Sequence, residues 1–378
     1  MFAKLNSCIK FLCFMRKIFV SFFLLAAIVI IFNSCTQTTY TNDNVVPTSM
    51  KISLSKATIV ADGIDKSEVT VKDQSGNDIS LTSIIVVNDI AINGTAITLE
   101  ASQQGTFKVF ATKFGIISDT LTISTTAPTT AKYSTKVLAE DYTGSWCGWC
   151  PRVAYKMNNF VQNNSKIIPV RFHNNDALSS PSVDSALRAA SGITAVPNVM
   201  INRLTTLKEN GDVNSLADSV GFRPYLQKRA VLGLALNSTI TGNTLNVTTK
   251  VGFDATISDS LKLVVVLVED GLILPQTNYY SNNSSYPATP FFSSGNPITN
   301  FVHHSVFRQS PTTVFGITIP STAQVKNGEY TSTFTFNITG YTANNLKVVA
   351  FVQYAGSQVK SGVLNAQLVA AGSNQAYD

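Results

Sequence analysis

Two cysteines three positions apart, Cys147 and Cys150 in the run Trp146-Cys147-Gly148-Trp149-Cys150-Pro151, are the residues whose type and spacing most directly carry chemistry. The run follows a strand-like stretch and opens a helix-like one. The first sulfur is therefore expected near unsatisfied backbone N–H groups and the positive end of a helix dipole, both of which favour thiolate over thiol. A thiolate at Cys147 can open a substrate disulfide, and Cys150 can resolve the mixed disulfide that results. Two readings compete with this one. A zinc site needs two more ligands, but no other Cys follows Cys35, and His173, His303 and His304 have no ligand spacing, so neither a metal nor another cofactor is expected. A purely structural disulfide is the other reading, although so small a ring adds little chain-entropy stabilisation. Trp149, with neither proton nor charge to offer, reads as an apolar docking surface.

The elements that must position this pair alternate in type. Periodicity gives a strand over 135–142, a helix over 150–163, a strand over 166–173, a helix over 182–191, a strand over 197–202 and a helix over 212–229. Such alternation implies an α/β layer spanning 132–229. His173 falls at the carboxyl end of its strand, where open α/β sheets bind ligands, yet a surface histidine is the favoured expectation. On either side the pattern is β. Over 48–128, short alternating stretches such as Ser67-Glu68-Val69-Thr70-Val71-Lys72 are separated by turn signals, including Asn93-Gly94, which suggests an immunoglobulin-like sandwich. Over 230–378, runs such as Leu261-Lys262-Leu263-Val264-Val265-Val266-Leu267-Val268 suggest a second sandwich. It carries an insert over 276–316 rich in Asn, Ser, Pro and aromatic residues, either a functional or a mobile loop.

The amino terminus reads as an export signal. Arg16-Lys17 precede an apolar run over 18–32 that ends in Asn33-Ser34-Cys35, and Met15 is an alternative start to Met1. The placement of Cys35 resembles a bacterial lipoprotein site, which implies cleavage after residue 34, acylation of the Cys35 thiol and a polar tether over 36–47. Loss of the four basic residues of 1–35 lowers the formal charge from +6 to about +2. With only 13% charged residues, the chain has no basic patch for nucleic acid.

Beyond spacing, Trp146 to Pro151 is similar to the active-site segment of thioredoxin-like proteins, and Gly192-Ile193-Thr194-Ala195-Val196-Pro197-Asn198 looks like the cis-proline loop of membrane-tethered TlpA-type thioredoxins. That resemblance implies a cis Val196–Pro197 bond facing the sulfurs, with Trp146, Trp149, Val196 and Pro197 recognising substrate. It also gives Asp141 the position of a buried acid that moves protons for Cys150, with Glu140 as rival. The order of the signal, of Glu140-Asp141-Tyr142-Thr143-Gly144 before the cysteines, and of Val268-Glu269-Asp270-Gly271 and Val302-His303-His304-x-Val306-x-Arg308 after them resembles the outer-membrane-protein-twenty-eight-related lipoproteins of Bacteroidetes over 132–370. An added bacterial Ig-like spacer precedes the resemblance. For His303, His304 and Arg308 a structural or surface role is expected.

The resulting expectation is a multidomain α/β plus all-β chain with a central thioredoxin-like fold flanked by two β-sandwiches. Its expected function is that of an outer-membrane lipoprotein in the cell envelope acting as a thiol-disulfide oxidoreductase. Cys147, Cys150 and Asp141 would be catalytic, and its partners would be disulfide-containing envelope proteins and an unidentified redox partner. The alternative is a non-enzymatic surface lipoprotein that binds protein or glycan through its β-sandwiches.

Overall fold

The computed structural model describes residues 46–92, 98–101, 103–128, 130–207, 221–287, 289–355 and 362–378. Cys35 with the segment before it, the tether as far as residue 45, the Asn93-Gly94 turn and the first half of the helix expected over 212–229 lie outside these residues, and in the second half of that helix only Arg223–Leu226 is α-helical.

The first unit packs two sheets across one apolar layer. One is three-stranded, in the order Met50–Leu54, Lys66–Asp73, Thr98–Glu100; the other is built around Gly105–Lys113, flanked by Leu121–Thr126 and Ile84–Val87. Strand alternation decides what meets in the middle: Ile52, Val69 and Val71 from one sheet pack with Ile85, Val109, Ala111 and Ile123 from the other. The Lys66 ammonium reaches the Asp259 carboxylate at 2.9 Å and ties this unit to the rest of the chain.

Most of the remainder is organised on one nine-stranded mixed sheet. Its order runs Thr205–Leu207, Asn198–Ile201, Val137–Thr143, Ile167–His173, Val306–Gln309, Leu261–Glu269, Leu346–Tyr354, Val363–Ala370, with Ile317–Ile319 also pairing with Leu261–Glu269. Val137–Thr143 and Ile167–His173 are parallel, and Val306–Gln309 joins them through the parallel pair Arg171 and Val306. Within Leu261–Glu269 the stretch 263–268 is an unbroken apolar run because both of its faces are buried. Leu261, Leu263, Val265 and Leu267 meet a four-stranded antiparallel sheet formed by Glu329–Asn337, Thr244–Phe253, Leu232–Thr241 and Asn374–Gln375. Val264, Val266 and Val268 turn the other way, into a layer shared with Leu138, Ile168, Val170, Phe172 and Phe351.

Three short helices occur among the described residues: α1 (Cys150–Asn163), α2 (Pro181–Ser191) and α3 (Arg223–Leu226). Helix α1 covers one face of the parallel strands through Val153 and Met157, and Leu187 of α2 packs on the opposite face. Helix α2 ends at Gly192, whose φ of 66° supplies the left-handed cap.

The expected fold class is therefore corrected. The chain is mostly β, and the strands expected to form a self-contained thioredoxin-like α/β layer are part of a sheet that continues into strands from beyond residue 260. The apolar layer under α2 is accordingly built from both halves of the sequence. The elements expected over 135–142, 150–163, 166–173 and 182–191 are found at 137–143, 150–163, 167–173 and 181–191, but periodicity does not reveal that Val306–Gln309 pairs beside them.

A buried ion pair fixes the junction. Glu140 and Arg203 are each almost wholly inaccessible, with the Arg203 Nη2 donating to Glu140 Oε1 at 2.6 Å and its Nε donating at 3.0 Å. The second arm of the guanidinium donates to the Val314 carbonyl at 2.7 Å and to Gln353 Oε1 at 3.0 Å. One side chain thus holds four separate segments, lying 4.8 Å from the Phe351 ring.

Candidate functional site

Strand 137–143 ends in a tight turn at Gly144, where the Cys147 N–H donates to the Gly144 carbonyl at 3.0 Å, and α1 begins at Cys150 with Pro151 in its first turn. Cys147 and Cys150 are disulfide-bonded, with Cα atoms 5.4 Å apart. Cys147, expected to be the attacking sulfur, is only 4% exposed, and Cys150 is 1% exposed.

The first part of the insert is hydrogen-bonded across the turn that carries them. The side-chain amide of Gln276 donates to the carbonyls of Gly144, Ser145 and Cys147 at 3.1, 3.1 and 2.9 Å. The Thr277 N–H donates to the Ser145 carbonyl at 2.8 Å, and the Tyr279 N–H to the Gly148 carbonyl at 3.0 Å. Tyr279 lies so close over Gly148 that a Cβ there would stand 2.3 Å from its ring, so glycine is required by close approach. Trp149 then meets three tyrosines edge to face: Tyr279 at 5.4 Å, Tyr280 at 5.3 Å and Tyr286 at 5.9 Å between ring centroids. Tyr280 is fully buried and lies over the Arg152 guanidinium.

Trp146 is 48% exposed and its indole N–H donates to the Asn174 carbonyl at 2.7 Å. The Val196–Pro197 bond is cis. Because Tyr142 pairs with Asn198 in the antiparallel register, Pro197 comes opposite Thr143, where the chain leaves for the cysteines.

Asp141 is buried and accepts from Arg171 Nε at 3.1 Å; burial pushes its carboxyl above the usual range against the pull of the Arg171 charge. Arg171 also donates to the His304 carbonyl at 2.8 Å and to Asn158 Oδ1 at 2.7 Å, so this pair braces α1 and strand 306–309. Glu140, the rival acid, is committed to Arg203 instead.

His173 is not at the surface. Its side chain is wholly inaccessible, with Nδ1 2.7 Å from Asp176 Oδ2 and its ring edge-on to His303 at 4.8 Å. His303 is also buried, hydrogen-bonded to the Leu274 carbonyl at 3.2 Å. His304 is half-exposed near Asp270, and Arg308 pairs with Glu269 at 3.3 Å over the Tyr341 ring. Among the described residues no three His, Cys, Asp or Glu side chains converge as a metal site.

Sequence reasoning found the cysteines and both tryptophans but not Gln276, Tyr279, Tyr280 and Tyr286. Their only signal was the unusual composition of the insert.

Comparison with known proteins bears on the carboxyl-terminal half. The family model described as outer membrane protein Omp28 matches residues 184–375, a span that begins beyond the cysteine pair. Among solved structures, HBP35 of Porphyromonas gingivalis is 19% identical with a TM-score of 0.51, over 64% of this chain and 76% of that one, a likeness of fold alone. The adhesin InvE of Yersinia pseudotuberculosis is 11% identical over 88% of this chain and 60% of its own, and its TM-score of 0.18 carries no argument. No curated protein matches the chain. Since the family model spans half of its length, the chain belongs to the outer membrane protein Omp28 family and is a protein of the cell envelope.

Proposed function

We propose that this chain is a non-enzymatic binding protein of the bacterial surface, tethered to the outer membrane through an acylated Cys35, in which the Cys147–Cys150 disulfide is a structural staple. The observation that carries this reading is the seal over the pair. Both sulfurs are buried, and the insert is hydrogen-bonded across the turn that carries them. A thiolate must be accessible to attack a substrate disulfide. The staple instead holds the Trp146–Trp149 turn in shape, so that exposed rings form a rigid face for a surface partner.

The test is the reduction potential of the pair in the full chain in mild detergent, equilibrated in dithiothreitol buffers. A potential well below about −300 mV, with no reduction of insulin, is expected for a structural disulfide. A value between about −120 and −270 mV together with thiol-disulfide exchange would instead make the chain an oxidoreductase. For the tether, Cys35→Ala is expected to abolish labelling by radioactive palmitate and to release the chain from membranes. Unchanged labelling rules that anchor out.

A further inference from the structure

Trp146 and Trp149 are the only tryptophans in the sequence, and both are exposed, by 48% and 38%. Large aromatic rings are ordinarily well covered. Tyr279 is exposed by 49% beside Trp149, and Tyr155 by 40%. The rings form a connected set: Tyr155 meets Phe291, Phe291 meets Tyr280, and Tyr280 meets Trp149. These contacts, edge to face at Tyr155–Phe291 and Tyr280–Trp149 and tilted at Phe291–Tyr280, fix the rings before any ligand arrives.

The insert that supplies most of these rings is neutral. From Leu272 to Val302 the sequence contains no Asp, Glu, Lys, Arg or His. Between the tyrosines the exposed positions are amides and hydroxyls, among them Asn282, Ser284 and Ser285. Arg152, Arg171 and the Asp176 side chain, which lie near the same turn, are buried, and Lys156 beside Tyr155 is partly so.

We propose that this ring platform binds a neutral carbohydrate. The proposal rests on the binding-protein reading above and names the ligand class of the same face. A sugar ring presents an apolar C–H face, which stacks on an exposed indole or phenol, and an equator of hydroxyls, which pair with amides and hydroxyls. This surface offers both. A charged glycan would give up its hydration here for no counter-charge from the insert, a cost the platform does not offset.

The experiment is native affinity electrophoresis of the full chain through gels cast with dextran, mannan, arabinoxylan or laminarin, followed by tryptophan fluorescence titration with the retarding polymer. Because Trp149 lies in the ring set and Trp146, the only other tryptophan of the sequence, stands exposed on the same turn, the emission reports this face directly. Expected are retardation by at least one of these polymers and a saturable emission change. Affinity should hold as salt rises from about 0.05 to about 0.5 M. Trp146→Ala and Tyr279→Ala should each weaken binding by about tenfold or more. Phe114→Ala, which removes an exposed ring of the first unit, should leave it unchanged. Two variants at separate positions guard against one misfolding, and unaltered circular dichroism verifies each. No retardation by any of the four polymers, or retardation indifferent to both variants, overturns the proposal. Capture of an envelope protein through the same rings without sugar binding overturns it while leaving the binding-protein reading intact, whereas insulin reduction defeats that reading itself.

Discussion

Arg203→Met is expected to destabilise the nine-stranded sheet by about 3–5 kcal/mol, because it strands the Glu140 carboxylate in a site with no water to take over its hydrogen bonds. The loss is not only the ion pair. Arg203 also satisfies the Val314 carbonyl and Gln353 Oε1, so the strand at 137–143, the turn after 198–201, the 314 loop and the strand at 346–354 lose a common anchor. The measurement is a urea midpoint followed by circular dichroism, compared with the double variant Glu140→Leu, Arg203→Met. Removing both charges should recover most of the loss. If the single variant unfolds at the wild-type midpoint, the pair does not hold the junction.

The second large effect is with pH. Burial, reinforced by the His173 and Arg171 charges, lowers His303 from its ordinary 6.5 to about 4, while the Leu274 carbonyl and Asp176 pull it the other way. The folded state therefore holds His303 neutral where the unfolded state protonates it. Its contribution is complete above about pH 6.5 and is lost as pH falls toward 4, amounting to roughly 3 kcal/mol at the acid end. His304, also lowered by burial, acts in the same sense. Unfolding midpoints at neutral and acid pH should diverge strongly in the wild type and much less in His303→Phe, which keeps a ring beside His173 but cannot titrate. Equal acid sensitivity in the two proteins would remove His303 from the account.

Much of the local structure was legible and much of the assembly was not. Val137–Thr143, Ile167–His173 and the first two helices follow from apolar periodicity, which reports which face of an element is buried. It does not report what buries it. Leu138 and Ile168 look the same in sequence whether their layer closes under α2 alone or extends to Val264 and Phe351, as it does. Val306–Gln309 is four residues long, and nothing local specifies Arg171 as the parallel partner of Val306. At the site, Cys147, Cys150, Trp146 and Trp149 stood out by type and spacing. Their burial state did not, and the residues that meet their turn, Gln276 and Tyr279, return from a distant part of the chain. Arg203 gave no signal at all, because a buried arginine in a turn reads like any surface one.

The shared sheet also constrains how the protein can be made. Strand 167–173 is flanked on one side by 137–143, which is synthesised just before it, and on the other by Val306, which lies 135 residues later. During export the amino-terminal half therefore emerges with an open strand edge and an apolar face under α2 that its own residues cannot cover. Closure waits until residues beyond 306 have crossed the membrane. Contacts of such long sequence separation fold slowly, and a nascent edge of this kind is prone to pair with other chains. Passage of this chain through the envelope is thus expected to depend on holding chaperones, and truncations that end before residue 306 are expected to aggregate.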